Sequence, residues 1–238
     1  MELNGKVALI TGGTKGIGYY TALAMLENNM SVLITGRKQE TIDKTVSALN
    51  DLYPNKVAGH AGDVSQMSHM NEAVSLINNK WGALDVLIAN AGVGHFSKIQ
   101  DMTEDQWNET INVNLTGVFN SVKASLVNLR KSKGYIITIA SLAGANFFSR
   151  GAAYNASKFG LVGMTQAMMM DLRDEDVKCS TIMPGSVSTH FNGNVPSDKD
   201  EWKIQPEDIG QIVVDLLKMP ARTLPSKVEV RPSKTAKK

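Results

Sequence analysis

The sequence predicts an α/β fold, in which a doubly wound parallel sheet of about seven strands carries helices on both faces. Three observations predict it. Short apolar runs alternate with longer amphipathic segments along the 238 residues. The apolar runs are continuous, as in strands that are covered on both faces, and a glycine-rich turn follows the first of them. Because βαβ crossovers are right-handed, this order of elements places helices on both sides of one sheet.

The strands are predicted from short runs that are rich in β-branched residues and bounded by Gly, Asn or Ser. The four strongest runs are Val7–Ile10, Val32–Ile34, Leu84–Ile88 and Tyr135–Ile139. Weaker runs predict three further strands at Lys56–His60, Val177–Met183 and Lys227–Val230.

Amphipathic segments predict the helices. Within residues 206–219, five aliphatic side chains recur at i, i+3, i+4, i+7 and i+8 and form one apolar stripe. They are Ile209, Ile212, Val213, Leu216 and Leu217. The segment Thr103–Gln106 matches a capping box, so we expect a long helix to begin there. Its apolar positions are Trp107, Ile111, Leu115, Val118, Val122 and Leu126.

The charge balance argues against a nucleic-acid binder. The formal net charge is +2, from 25 basic and 23 acidic side chains. The last eight residues carry four cations and no acid, so removing these four charges takes the net charge from +2 to −2. They are Arg231, Lys234, Lys237 and Lys238. A nucleic-acid binder usually carries a basic stripe on its folded body, and we therefore expect no nucleic-acid partner.

Cysteine usage and hydropathy predict a cytoplasmic protein. Cys179 is the single cysteine, so no intrachain disulfide can form, which is typical of a reducing compartment. No run of 18 apolar residues is present, and we expect no membrane span. We also expect no metal site.

The turn Thr11–Gly18 directly follows the first predicted strand and opens a helix. In such a turn Gly12 permits the tight bend, Gly16 lets the backbone approach a pyrophosphate, and Gly18 lets helix and strand pack closely. The N–H groups of the helix N-terminus then face the phosphates. This placement predicts a Rossmann-like dinucleotide site. We expect further contacts from Thr14, Lys15 and Ile17.

The end of the second strand indicates which dinucleotide binds. An NAD site generally places an acid there, which accepts a hydrogen bond from the ribose 2′-hydroxyl. Here the residues are Thr35–Lys38, without an acid. The guanidinium of Arg37 suits a 2′-phosphate, and Lys15 adds a second positive charge. The sequence therefore favours NADP(H) over NAD(H), and the alternative is that Arg37 caps the strand in solvent.

Three residues form a candidate catalytic group. Lys158 follows Tyr154 by four positions, so both share one helix face. Ser141 ends a predicted strand thirteen residues before Tyr154. An ammonium beside a phenol favours the phenolate, so we expect Lys158 to lower the pKa of Tyr154 from about 10 toward neutral. A phenol with such a pKa is suited to general acid catalysis.

These motifs resemble the short-chain dehydrogenase/reductase family over nearly the whole chain, from about Leu3 to Val230. The residues that carry the resemblance are Thr11-Gly12-x-x-x-Gly16-x-Gly18, Asp63–Val64, Asn90–Ala91–Gly92, Asn114, Ser141, Tyr154-x-x-x-Lys158, and Pro184–Gly185 followed by Thr189. One departure is Ala89, where the family often has asparagine. The order and spacing of the motifs together make the resemblance specific.

The resemblance implies four catalytic roles. Tyr154 protonates the carbonyl oxygen as hydride arrives, and Ser141 holds that oxygen. Lys158 binds the nicotinamide ribose and tunes Tyr154. Asn114 holds a water that relays protons to Lys158.

The resemblance also implies cofactor contacts. Asp63 accepts a hydrogen bond from the adenine amino group, with Val64 beside the ring. Asn90 and Gly92 line the ribose region, and Thr189 contacts the nicotinamide amide or the phosphates. Further contacts are expected from Ala91, Pro184, Gly185 and Val187.

The predicted function is the NADPH-dependent reduction of a ketone or 3-oxoacyl thioester to an alcohol. We expect one NADP-binding catalytic domain at residues 1–232, a basic flexible tail at residues 233–238, a small-molecule carbonyl substrate, and a homodimer or homotetramer. Two alternatives stay open, a 3-oxoacyl-carrier-protein reductase and a non-catalytic NADP-binding sensor. The first two-thirds resemble the former reductases. The ending Leu224–Pro232 instead resembles small carbonyl and sepiapterin-type reductases.

The substrate is expected beneath residues 190–205, a short polar segment whose large apolar residues are Phe191, Val195 and Trp202. Lids of this kind are often mobile. The remaining pocket wall is expected from His95, Phe96, Phe147 and Phe148.

Overall fold

Seven parallel strands form one sheet in the order β3-β2-β1-β4-β5-β6-β7. The computed structural model describes residues 1–235. The strands are β1 Val7–Ile10, β2 Ser31–Gly36, β3 Val57–Ala61, β4 Val86–Ala89, β5 Tyr135–Ile139, β6 Lys178–Pro184 and β7 Lys227–Val230. All seven predicted strands are therefore confirmed. Strands β1 to β3 are added toward one edge of the sheet and strands β4 to β7 toward the other, which makes the sheet doubly wound.

Helices cover both faces of the sheet, as predicted. They are α1 Gly16–Glu27, α2 Gln39–Leu52, α3 Met67–Trp81, α4 Glu104–Ile111, α5 Gly117–Ser132, α6 Ala152–Leu172 and α7 Pro206–Lys218. Successive strand residues point to opposite faces. On β1, Ile10 packs into a core shared with α1, α2 and α7. Its neighbour Leu9 packs into a second core with α3, α5 and α6.

The helix that was expected to run unbroken from the capping box contains a π-helical segment. Thr103 accepts a hydrogen bond from the backbone N–H of Gln106, whose side chain accepts from Thr103 N in return, so the capping box is confirmed. The segment Asn112–Thr116 then separates α4 from α5. Apolar residues recur every three or four positions on both sides of this segment, and no residue type marks a π turn, so the sequence pattern did not reveal it. Such segments occur frequently at functional sites.

The carboxyl ends of the strands meet at one edge, where ligands bind in sheets of this type. The loops after β1, β2, β4, β5 and β6 all open there. No helix within residues 1–235 is long and apolar enough to cross a membrane. Cys179 lies fully buried on β6, and burial raises the pKa of its thiol to about 12, so it stays protonated.

Candidate active site

A cavity of about 970 Å³ lies at the carboxyl ends of the strands. It lies across the switch point between β1 and β4, and its lining residues come from the segments that follow all seven strands and from α6. Most of the predicted site residues line it: Gly12, Thr14, Lys15, Gly16, Ile17, Arg37, Asp63, Val64, Asn90, Ala91, Gly92, Ser141, Tyr154, Lys158, Pro184, Gly185, Val187 and Thr189. Gly18 and Asn114 are buried behind its wall.

The glycine loop has the geometry that the sequence predicts. Gly12 and Gly16 adopt φ of +67° and +56°, a region that favours glycine. A Cβ on Gly18 would lie 2.3 Å from the carbonyl oxygen of Gly12. The amide of Asn90 donates to the carbonyls of Thr11 and Gly12 at 2.9 and 3.0 Å. Asn90 therefore ties the loop after β4 to the glycine loop.

Arg37 projects into solvent at the rim of the cavity, where its side chain is 70% exposed. Its Nη1 lies 3.5 Å from Oε1 of Glu109, a partner that sequence reasoning missed. The other oxygen of Glu109 lies 2.7 Å from Nε2 of His95. Exposed pairs of this kind hold a side chain weakly, so Arg37 is free to move onto an anion. His95, which was expected on the cavity wall, faces Glu109 instead.

Asp63 and Val64 occupy the loop after β3. Oδ1 of Asp63 accepts from the backbone N–H of Ser65 at 2.8 Å. The N–H of Asp63 donates to Nδ1 of His69 at 3.0 Å. Val64 is buried against Gly117, where a Cβ would lie 2.5 Å from the valine Cγ2. The backbone that presents Asp63 to the cavity is thus held on both sides.

Ser141 stands at the end of β5, at the start of a 3₁₀ turn, Leu142–Gly144. Its hydroxyl accepts from Ala143 N at 3.1 Å and donates to Pro184 O at 3.5 Å. Asn155 supports this turn, because its amide donates to the carbonyls of Ala143 and Asn146, both at 2.8 Å. The role of Asn155 was missed, although a buried asparagine beside Tyr154 in the first turn of a helix was a usable signal.

Lys158 lies beneath Tyr154, with its Nζ 5.7 Å from the centre of the phenol ring. The ammonium donates to the carbonyl of Ile139 at 3.0 Å. Burial lowers the pKa of Lys158 to about 8, because removal of water disfavours the charged ammonium relative to the neutral amine.

The pKa of Tyr154 moves opposite to the expectation. Burial raises it above its ordinary value, and the neighbouring Ser141 hydroxyl opposes that shift only in part. The desolvation of the phenolate therefore outweighs the hydrogen bond with Ser141, and the expected lowering by Lys158 does not occur. In this structure Tyr154 keeps its proton at neutral pH, which is the form that a general acid needs.

Asn114 is fully buried at the centre of the π-helical segment. Its Oδ1 accepts from the backbone N–H of Val93 at 2.8 Å. Its Nδ2 donates to the Val93 carbonyl at 2.9 Å and to the Ser157 hydroxyl at 3.0 Å. Asn114 thus joins the loop after β4 to α6, close to Lys158.

Aromatic side chains surround Tyr154. Its ring centre lies 5.4 Å from that of Phe96, 5.8 Å from that of Phe191 and 6.4 Å from that of Phe148. These three residues line the cavity, as do Phe147 and Trp202, so their expected placement is correct. Val195 is 77% exposed and lies outside the lining.

The segment after β7 also reaches the cavity, which sequence reasoning missed. Arg231, Pro232, Lys234 and Thr235 line it. The expected flexible tail at residues 233–238 remains a prediction. Residues 236–238 lie outside the described residues.

The family model for short chain dehydrogenases matches residues 6–200. A 3-oxoacyl-[acyl-carrier-protein] reductase from Thermotoga maritima is 30% identical over 226 residues, 91% of this chain and 92% of the relative. An alcohol dehydrogenase from the archaeon Thermococcus sibiricus, solved with 5-hydroxy-NADP, has a TM-score of 0.90 at 28% identity, covering 98% and 99% of the two chains. A metagenomic short-chain oxidoreductase, solved with NADP, has a TM-score of 0.85 at 31% identity, covering 99% and 100%. The chain therefore belongs to the short-chain dehydrogenase family of oxidoreductases.

Proposed function

We propose that this chain reduces a carbonyl compound to an alcohol, with NADPH as the hydride donor and Tyr154 as the general acid. The observation that carries the proposal is the convergence of Ser141, Tyr154 and Lys158 on the same cavity as the glycine loop. A protonated phenol, a hydroxyl and an ammonium together suit the stabilisation of an oxygen on which negative charge develops.

The cavity fits a dinucleotide. Gly16 has a positive φ and lies next to Thr189, whose Cγ2 would be 3.4 Å from a Cβ on the glycine. The Cβ of a larger residue would be in van der Waals contact with Thr189, in the loop after β6, and the φ of +56° would strain its backbone. The N-terminus of α1 opens at the same point and offers N–H groups to a pyrophosphate. We place the adenine beside Asp63 and the nicotinamide beside Gly185.

The choice of NADP(H) rests on charge at the end of β2. Arg37 and Lys15 line the cavity there, and no acid stands among Thr35–Lys38. A guanidinium binds a phosphate monoester with planar, charge-assisted hydrogen bonds. Two of the similar solved proteins hold NADP or an NADP derivative, which supports the proposal.

The chain's own groups act on the substrate oxygen. The cofactor, when bound, supplies the hydride. The hydroxyls of Ser141 and Tyr154 donate hydrogen bonds to the carbonyl oxygen, and Tyr154 transfers its proton as the oxygen becomes an alcohol. The positive charge of Lys158, 5.7 Å from the phenol ring, stabilises the phenolate left behind. Asn114 joins the loop after β4 to α6, and both hydrogens of its side-chain amide are donated to Val93 and Ser157. The proposed water that relays protons to Lys158 would therefore bind an oxygen of Asn114.

A substrate panel followed by NADPH absorbance tests the proposal. The panel contains simple ketones, diketones and a 3-oxoacyl thioester. Oxidation of NADPH with at least one class supports a reductase. Tight NADPH binding without turnover across the panel would contradict it and favour the alternative of a sensor. Turnover confined to the thioester would favour a 3-oxoacyl reductase.

Replacing Arg37 tests the cofactor assignment. Arg37→Ala is expected to raise the KM for NADPH at least tenfold and to change the KM for NADH less than threefold, because only NADPH carries the 2′-phosphate. Lys38→Ala removes an adjacent exposed cation that does not line the cavity, and it serves as the control. A wild-type kcat/KM that favours NADH would refute the assignment.

A further inference from the structure

More cations line the cavity than the proposed cofactor site and mechanism use. Among residues 1–235, the acid that lines it is Asp63, whereas six cations do. They are Lys15, Arg37, Lys158, Lys203, Arg231 and Lys234. The first three have places in the proposed cofactor site. Lys203, Arg231 and Lys234 have no role in the mechanism described above.

These three cations lie toward the β7 edge of the sheet, whereas the adenosine end of the proposed site lies toward the β3 edge. Arg37 follows β2, and Arg231 follows β7. Five strand spacings separate these strands in the sheet order, which corresponds to about 24 Å at about 4.8 Å per spacing. Ser141 follows β5, only two spacings from β7. The charge is therefore at the catalytic end of the cavity.

Backbone hydrogen bonds hold the residues next to Arg231 and Lys203 against the loop after β6. The N–H of Gly185 donates to the carbonyl of Val230 at 2.8 Å, directly before Arg231. The N–H of Ile204 donates to the carbonyl of Ser186 at 3.1 Å, directly after Lys203.

Pro232 brings the segment after β7 to the catalytic serine. A Cβ on Gly185 would lie 3.1 Å from both Pro232 Cδ and Leu142 Cδ1, and Leu142 directly follows Ser141. Lys234 is exposed and lines the cavity two residues further along. The segment thus forms one wall of the space next to Ser141.

We propose that the substrate is an organic anion, a carbonyl compound that bears a carboxylate, and that Arg231, Lys234 and Lys203 bind this carboxylate. The inference rests on the proposed function and narrows its substrate class. Arg231 and Lys203 each have an acid partner outside the cavity lining, Glu229 at 3.1 Å and Asp200 at 2.6 Å. These partners orient the two cations. The aromatic rings of Phe96, Phe148 and Phe191 receive the apolar part of the same molecule.

A matched pair of ketones tests the inference. The acid 3-benzoylpropanoate and its methyl ester carry the same aryl ketone and differ in charge. The wild-type kcat/KM is expected to be at least tenfold higher for the acid. In the double variant Arg231→Ala/Lys234→Ala, we expect the kcat/KM for the acid to fall at least fivefold through KM. The ester is expected to change less than twofold.

The control is the double variant Arg222→Ala/Lys227→Ala. It removes two exposed cations from the turn before β7 and from β7 itself, neither of which lines the cavity. It is expected to leave both substrates within twofold of wild type. The KM for NADPH is expected to stay within twofold in every variant.

Equal kcat/KM for acid and ester, or a preference for the ester, would overturn the inference. A rise in the KM for NADPH in place of the KM for the acid would overturn it too, since the cations would then serve the cofactor. Turnover of the ester and of neutral ketones would still support the proposed function in both cases. Absence of turnover with every compound would instead reject the proposed function.

Discussion

Burial governs the protonation states of Lys158 and Tyr154, the two central residues of the proposed catalytic group. Lys158 is buried with its ammonium on the Ile139 carbonyl, and its pKa is lowered to about 8. Burial raises the pKa of Tyr154. The pKa of each group is therefore shifted toward its neutral form, because burial disfavours the charged form. Charged groups of the substrate and cofactor can offset this effect of burial when they bind.

The free energy of unfolding should depend on pH because of the lowered pKa of Lys158. The pKa of this lysine is about 8 in the folded chain against an ordinary 10.5, so the folded state binds fewer protons between these values. Stability then rises with pH over that window. From pH 7 to pH 9.5 we expect wild type to gain about 2 kcal/mol relative to Lys158→Met, measured by urea unfolding.

The exposed Lys123→Met on α5 is the matched control for loss of a lysine. A difference between wild type and Lys158→Met that stays constant with pH would contradict the shifted pKa.

The residues of the site were predictable where one short motif contains the chemistry. The glycine loop and the Tyr154–Lys158 pair are of this kind. Glu109 and Arg231 were not predictable, because Glu109 reaches Arg37 and Arg231 reaches the cavity only when distant segments pack together. The direction of the Tyr154 pKa shift was not predictable either, since desolvation depends on the packing of Phe96, Phe148 and Phe191 around the ring.

At the scale of elements, the π-helical segment Asn112–Thr116 is the feature that positions the site. It turns the Asn114 side chain inward, where three hydrogen bonds join Val93 to Ser157. The loop after β4 and the helix that carries Tyr154 and Lys158 are thereby held together.

Removing this link should destabilise the fold. Asn114→Ala leaves the buried Ser157 hydroxyl and the half-buried backbone of Val93 without their hydrogen bonds to Asn114, and a buried group without a partner costs about 1–3 kcal/mol. We expect a loss of about 2–4 kcal/mol in urea unfolding. Asn112→Ala, an exposed position in the same segment, should change stability by less than about 0.5 kcal/mol. Equal losses in the two variants would show that the hydrogen bonds of Asn114 contribute nothing.

Strands and helix starts followed directly from the sequence because their signals are local. The continuous apolar runs gave all seven strands, and the capping box at Thr103 gave the start of α4. The π-helical segment was missed because apolar residues recur every three or four positions through it, and no residue type marks a π turn.

In the whole molecule, positive charge is concentrated at the cavity as well as near the C-terminus. The basic residues near the C-terminus do not simply extend from the body, since Arg231 and Lys234 line the cavity. The doubly wound sheet was predictable from the alternation of elements. That the segment after β7 lines the cavity was not predictable, because this depends on β7 pairing beside β6.

The assembly state remains a prediction that solution mass can test. Among residues 1–235, the exposed large apolar side chains on α5 and α6 are Phe119, Val127, Phe159 and Met170. Such exposure is typical of a contact surface. Sedimentation at micromolar concentration should give a dimer or tetramer, and Met170→Glu should shift it toward monomer. Lys44→Glu, on α2 at the opposite face, should not. A wild-type monomer would contradict the prediction.

The role of Tyr154 as general acid is tested most directly by comparing Tyr154→Phe with wild type in two assays, carbonyl turnover and NADPH binding. The substitution removes one hydroxyl from a ring that the surrounding aromatic side chains still hold in place. Turnover of every accepted substrate is expected to fall at least a thousandfold, because the proton donor is lost, while the Kd for NADPH is expected to stay within threefold. Near-normal turnover in Tyr154→Phe would contradict this role.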